Sequence, residues 1–168
     1  MTDKNTQNAA KYTGPLADYV LSHGVARSSL RPMAKAAGTS DRMLVYHYGS
    51  KAGVMEAALN ELARRDKETM DAMLPAAPLP ANQLMPMIGS VMKTGVFNPS
   101  IAVLLELTAQ AIRGDAMAQK IANTLATDFH DWLAARLTEP DRAIELLAAV
   151  EGWGVLTGCG LDVSFPSG

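Results

Sequence analysis

The sequence is poor in the residues that strands, cross-links and membrane spans require. It holds one cysteine, Cys159, so no disulfide can form within the chain, and a reducing compartment is expected. Aromatic residues make up 5% of the 168 positions, with three Phe and two Trp, and β-branched, aromatic-rich runs are missing. Ala and Met are plentiful instead, and both favour helix, so an all-α fold is expected. No window approaches the ~18 consecutive apolar residues of a membrane helix. The opening MTDKNTQNAA has no signal-peptide core, and a cytoplasmic chain with no membrane partner is expected. Catalytic signatures are lacking as well. There is no HExxH pair, no Gly-rich phosphate loop and no nucleophile elbow. His130 lies beside Asp128 and Asp131, but consecutive helical positions point apart, which makes a solvated face of them and not a metal site. Neither an enzyme nor a cofactor is expected.

The charge that is present is unevenly spread. The net charge is −2, yet residues 1–51 hold seven Lys or Arg against three Asp, a net of +4. Residues 52–168 hold eight against fourteen, a net of −6. A basic first third before an acidic remainder suits a head that meets nucleic acid and a body that does not.

Punctuation along the chain marks the elements. Residues 1–13 are polar and read as a flexible arm, with Pro15 in the first turn of a helix that Gly24 stops. Ser28 or Ser29 can cap a short second helix carrying Leu30, Met33 and Ala37, with Pro32 in its first turn. Ala37-Gly38-Thr39-Ser40 reads as a turn, and Ser40 as the cap of a third helix that holds Met43, Leu44 and Tyr48 and ends at Gly49. Two helices about a Gly-containing turn make a helix-turn-helix. Ser50 caps a fourth helix reaching about Met73. Prolines 75, 78 and 80 then interrupt helix, so the domain boundary is expected there. The resulting division is a helix-turn-helix domain over 14–51, with its connecting helix to about 73, and a second helical domain over 81–160. Helices are expected over 81–94, around Ile101–Ile112, from about Gly114 to Glu139, and from Asp141 to Gly158. The last is apolar on nearly every side, which calls for cover from several directions, a second subunit among them. The tail GLDVSFPSG reads as irregular.

The Ala-Lys-Ala-Ala-Gly-Thr-Ser run at 34–40 and the Tyr-His-Tyr-Gly-Ser-Lys run at 46–51 are closely similar to the tetracycline-repressor (TetR) family of bacterial regulators. The resemblance spans residues 14–62. It implies an N-terminal three-helix DNA-binding domain and a C-terminal helical regulatory and dimerisation domain. It further implies that Ser29 and Arg31 contact phosphate, that Thr39, Ser40, Asp41, Arg42 and Met43 face base edges, that Tyr46 and His47 reach phosphate or the groove wall, and that Lys51 binds phosphate at a helix N-terminus. Two positions depart from the pattern. Val45 replaces a usual Tyr, and Asp41 stands where Lys is common, so it could accept a bond from a cytosine amino group but not hold phosphate.

Function follows as an expectation: a ligand-released repressor that binds a palindromic double-stranded operator as a homodimer. The rival is a helical ligand- or protein-binding module that has lost DNA binding, motivated by Asp41 and Val45. Met85, Met92, Phe97 and Leu104 are the candidate lining of a pocket for a small-molecule effector, since Met adapts to irregular ligands. Trp132, Ala148, Gly152 and Trp153 are the candidate dimer contacts.

Overall fold

The computed structural model describes residues 2–165, with side chains from Ala9 onward. Among them are eight α-helices: α1 (Thr2–His23), α2 (Leu30–Ala36), α3 (Asp41–Tyr48), α4 (Lys51–Met73), α5 (Ala81–Met92), α6 (Asn98–Ile112), α7 (Ala116–Ala134) and α8 (Ala143–Gly158). A 3-10 turn at Pro140–Arg142 precedes α8, and the described residues contain no strand beyond a single bridge between Leu79 and Leu137.

Two compact units form, each from separate stretches of chain. The first takes residues up to Arg65 together with Ala102–Ala122. Its core includes Leu16, Val20, Met33, Leu44, Met55 and Leu59 from the first four helices and Leu107, Ala118 and Ile121 from α6 and α7. The second takes Asp66–Ile101 and the chain from Asn123 on. Its core runs from Met70 and Leu74 through Leu84, Met85, Ile88 and Met92 of α5 to Trp132, Leu133, Leu146, Val150 and Trp153. The boundary expected at prolines 75–80 therefore falls inside the second unit. That segment is not a free linker either: Leu79 N–H donates to the Arg136 carbonyl at 2.9 Å, and Thr138 N–H to the Leu79 carbonyl at 3.0 Å.

The expected flexible arm is a correction. Helix α1 already begins at Thr2, and Pro15 lies inside it. Local signals did not disclose this, because the hold is tertiary. The Tyr48 hydroxyl, 39 residues away on α3, donates to the Ala9 carbonyl at 2.7 Å and lies 3.0 Å from the Thr13 hydroxyl. The tail reading stands for Leu161–Phe165, which has no regular structure, and its last three residues lie outside the described ones.

Candidate nucleic-acid interface

Helices α1, α2 and α3 pack on one another within the first unit. Helix α2 closes with two bonds that fix the turn. Thr39 N–H reaches the Ala34 carbonyl at 2.9 Å, and Gly38 N–H the Lys35 carbonyl at 3.2 Å. This double closure needs a left-handed residue between its arms, and Gly38 supplies it with φ 64°. Ser40 then starts α3, its hydroxyl accepting from Met43 N–H at 3.2 Å. Gly49 at φ 82° ends α3, and the Ser50 hydroxyl accepts from Gly53 N–H at 3.1 Å to start α4.

Burial sets which way α3 faces. Leu44 is fully buried, so at 100° per residue Arg42 and Tyr46 stand on the opposite side, one turn apart. Both are exposed, Tyr46 to 67%. Of the other candidate contacts, Ser29, Arg31, Ser40, Asp41, Met43 and Lys51 are exposed, while Thr39 and His47 are half-buried. The structure thus presents Ser29 and Arg31 at the start of α2, the 40–43 run and Tyr46 on α3, and Lys51 at the start of α4. An exposed cation paired with an aromatic on the outer face of a short, capped helix can hydrogen-bond base edges and phosphate.

Several residues that hold this face are not evident from sequence. Tyr12 on α1 lies against His47, ring centroids 5.5 Å apart, and His47 meets Tyr46 edge-on at 5.2 Å. The Thr39 hydroxyl, and then Lys11, hold the Tyr12 phenol below its ordinary pKa. Burial pushes the Tyr48 phenol up, partly offset by Thr13. Gly53 is the tightest contact: a Cβ there would lie 2.1 Å from the Tyr48 carbonyl oxygen. Only a residue without Cβ lets α4 begin so close to the end of α3. Its signal was a glycine three residues after a cap, inside a helix where Gly is disfavoured. Elsewhere in the unit, Glu106 of α6 accepts from Ala26 N–H at 3.1 Å, in the turn that Gly24 opens at φ 78°. Nothing local in the sequence joins positions 26 and 106.

The remaining candidates fall elsewhere. Met85, Met92 and Phe97 are buried in the second unit's core, whereas Leu104 is half-buried and belongs to the first unit. Trp132 is 4% exposed; its indole N–H donates to Asp71 Oδ1 at 2.7 Å, and the Arg136 guanidinium, which also pairs with Asp71, lies 4.1 Å over its ring. Trp153 is 8% exposed and donates to the Val163 carbonyl at 3.2 Å. Both tryptophans are thus taken up by the chain's own residues. Ala148 is exposed, and a Cβ on Gly152 would meet open space. Around them, Ile144, Val155 and Leu156 of α8 are exposed large apolar residues. Among the described residues there is no group of three metal-ligating side chains, and no helix is long and apolar enough to cross a membrane.

No protein-family model and no curated protein matches this chain. Among solved structures it is similar to the crystal structure of the multidrug binding protein EbrR complexed with imidazole, with a TM-score of 0.68 and 23% identity over 96% of this chain and 84% of that one. The likeness establishes the fold, which is the all-α, TetR-like one that the two sequence runs had pointed to.

Proposed function

We propose that this chain is a transcriptional regulator that reads a palindromic operator as a homodimer and is released from it by a small molecule. The observation that carries the reading is the facing of α3. Leu44 anchors it to the core, and Arg42 and Tyr46 stand outward between a Ser40 cap and the Lys51 helix start. The head that bears them is the basic part of an acidic chain. The 23% identical neighbour is a multidrug binding protein, which supports a small-molecule effector for the second unit, where Met85, Met92 and Phe97 make an adaptable apolar core. Dimerisation is assigned to the outer face of α8, with Ala148 and Gly152 set among Ile144, Val155 and Leu156. Trp132 and Trp153 are left out of that face because they are buried within their own unit. The protein acts in the cytoplasm.

Titration with double-stranded DNA from upstream of the chain's own gene tests the reading. With Arg31 and Lys51 of two chains on phosphate, affinity should fall on the order of 100-fold between ~50 and ~200 mM salt. Arg42→Ala should relax preference at particular bases, while Lys51→Ala weakens binding to all sequences alike. A second reading, a helical module without DNA affinity, is favoured by Asp41 in the first turn of α3 and by Val45, 37% exposed where a phosphate contact would help. Dimers that bind no DNA at low salt would establish that second reading and refute the first.

A further inference from the structure

Beyond α8 the chain turns at Gly160, φ 83°, and the segment Leu161–Phe165 folds back onto the second unit. Two contacts hold it. The Trp153 indole N–H donates to the Val163 carbonyl at 3.2 Å, and the Phe165 ring lies 5.7 Å from the Trp153 ring at a tilt of 56°. Under Phe165 is Gly89, buried in the middle of α5. A Cβ on Gly89 would lie 2.6 Å from Phe165 Cγ, and its three nearest atoms all belong to Phe165. A mid-helix glycine weakens α5 relative to alanine, and what the missing side chain leaves is a flat slot filled by a ring. Met85 and Met92, a turn to either side on α5, are buried and adaptable.

The Phe165 side chain is itself only half-buried, and it comes from a segment without regular structure. We propose that the slot over Gly89, walled by Trp153, binds a flat, uncharged aromatic molecule, and that Phe165 occupies it in competition with that ligand. The inference rests on the second unit being the ligand-binding one, and it names where the ligand sits and what closes the site. A tail seated nine-tenths of the time lowers apparent ligand affinity about tenfold, since only the open fraction binds.

The test uses 5-fluoroindole, followed by fluorine NMR on the full chain, with circular dichroism as a check of helix content. Phe165→Ala should bind the probe more tightly than the parent, about tenfold for a tail seated nine-tenths of the time. Gly89→Ala, which strengthens α5 while filling the slot, should lift the tail, shift Trp153 emission to longer wavelength and abolish probe binding. Equal affinity in the parent and Phe165→Ala overturns the proposal. So does Gly89→Ala binding as tightly as Phe165→Ala, or binding by none of the three. The readout is made without DNA, so operator binding can fail while this result stands, and the reverse.

Discussion

Gly53→Ala is the sharpest probe of how the DNA-facing head is built. In an isolated helix the change would stabilise by about 1 kcal/mol, because alanine loses less backbone entropy than glycine. Here the added methyl would be placed 2.1 Å from the Tyr48 carbonyl oxygen, and carbon and oxygen cannot approach so closely. The obstacle is backbone, and that backbone is tied. Tyr48 is the last residue of α3, its hydroxyl is bonded to Ala9, and Gly49 behind it is already in a left-handed conformation. Relief requires α3 and α4 to separate at their junction. Overpacking of this kind costs about 1–3 kcal/mol, and about 2–3 kcal/mol here, where the surroundings cannot yield. Against the helix gain, the net loss should be about 1–2 kcal/mol. For a chain of this size that lowers Tm by about 2–8 °C. Thermal melts of parent and variant measure it. DNA affinity should fall further than the melt implies, since the displaced helix is the one bearing Arg42 and Tyr46. A Tm equal to or above the parent's would show that α4 does not start against Tyr48, and the geometry of the interface argued above would be wrong.

Other perturbations read other parts of the molecule. Glu61 is bonded to Arg64 and Arg65, each at 2.8 Å, and the Arg64 hydrogen bond, first among the causes, holds its carboxyl down to about 2. A depressed carboxylate stabilises the fold above its ordinary pKa of 4.5 and loses that contribution as pH falls through about 2. The Tm of the parent should therefore drop more steeply between these pH values than that of Glu61→Gln. Asp71→Ala removes the carboxylate that the buried Trp132 indole N–H and the Arg136 guanidinium share, leaving the indole N–H without an acceptor; a loss of about 1–3 kcal/mol in urea melts and a shift in Trp132 emission are expected. Gly152→Ala adds a methyl to open space within α8 and should raise the stability of the chain by about 0.5–1 kcal/mol. If α8 is the dimer face, sedimentation should show the same change weakening self-association.

The helix-turn-helix was legible because its signals are local. Gly38, Ser40, Gly49 and Ser50 each act within four residues of themselves, through a cap or a left-handed turn. Both ends of α3 and the start of α4 follow from them directly. What escaped depends on partners distant in sequence. The stretch of α1 ahead of Pro15 is held at Ala9 and Thr13 by Tyr48, the environment of Trp132 rests on Asp71 sixty-one residues earlier, and the turn after α1 on Glu106. Periodicity placed helices α6 and α7 but did not state which face is covered: on α6 the buried residues are Val103 and Leu107, while Ile112 is exposed. Leu107 and Ile121 turn out to be buried in the first unit, which moved the domain division away from the prolines. Trp132 and Trp153 read from the sequence as packing or interface anchors, and the hydrogen-bond acceptors that fix them inside the second unit, Asp71 and the Val163 carbonyl, carry no local signal.

The discontinuity of the first unit has a consequence during synthesis. Helices α1 to α4 leave the ribosome as a contiguous set, but Leu107, Ala118 and Ile121 belong to a stretch that begins only at Ala102. At ordinary elongation rates the 56 residues from Asp66 to Ile121 take roughly 3–11 s to add. Through that interval the first unit lacks part of its core, and Ala26 and Glu56 wait for the side chains of Glu106 and Lys120 that they meet in the finished fold.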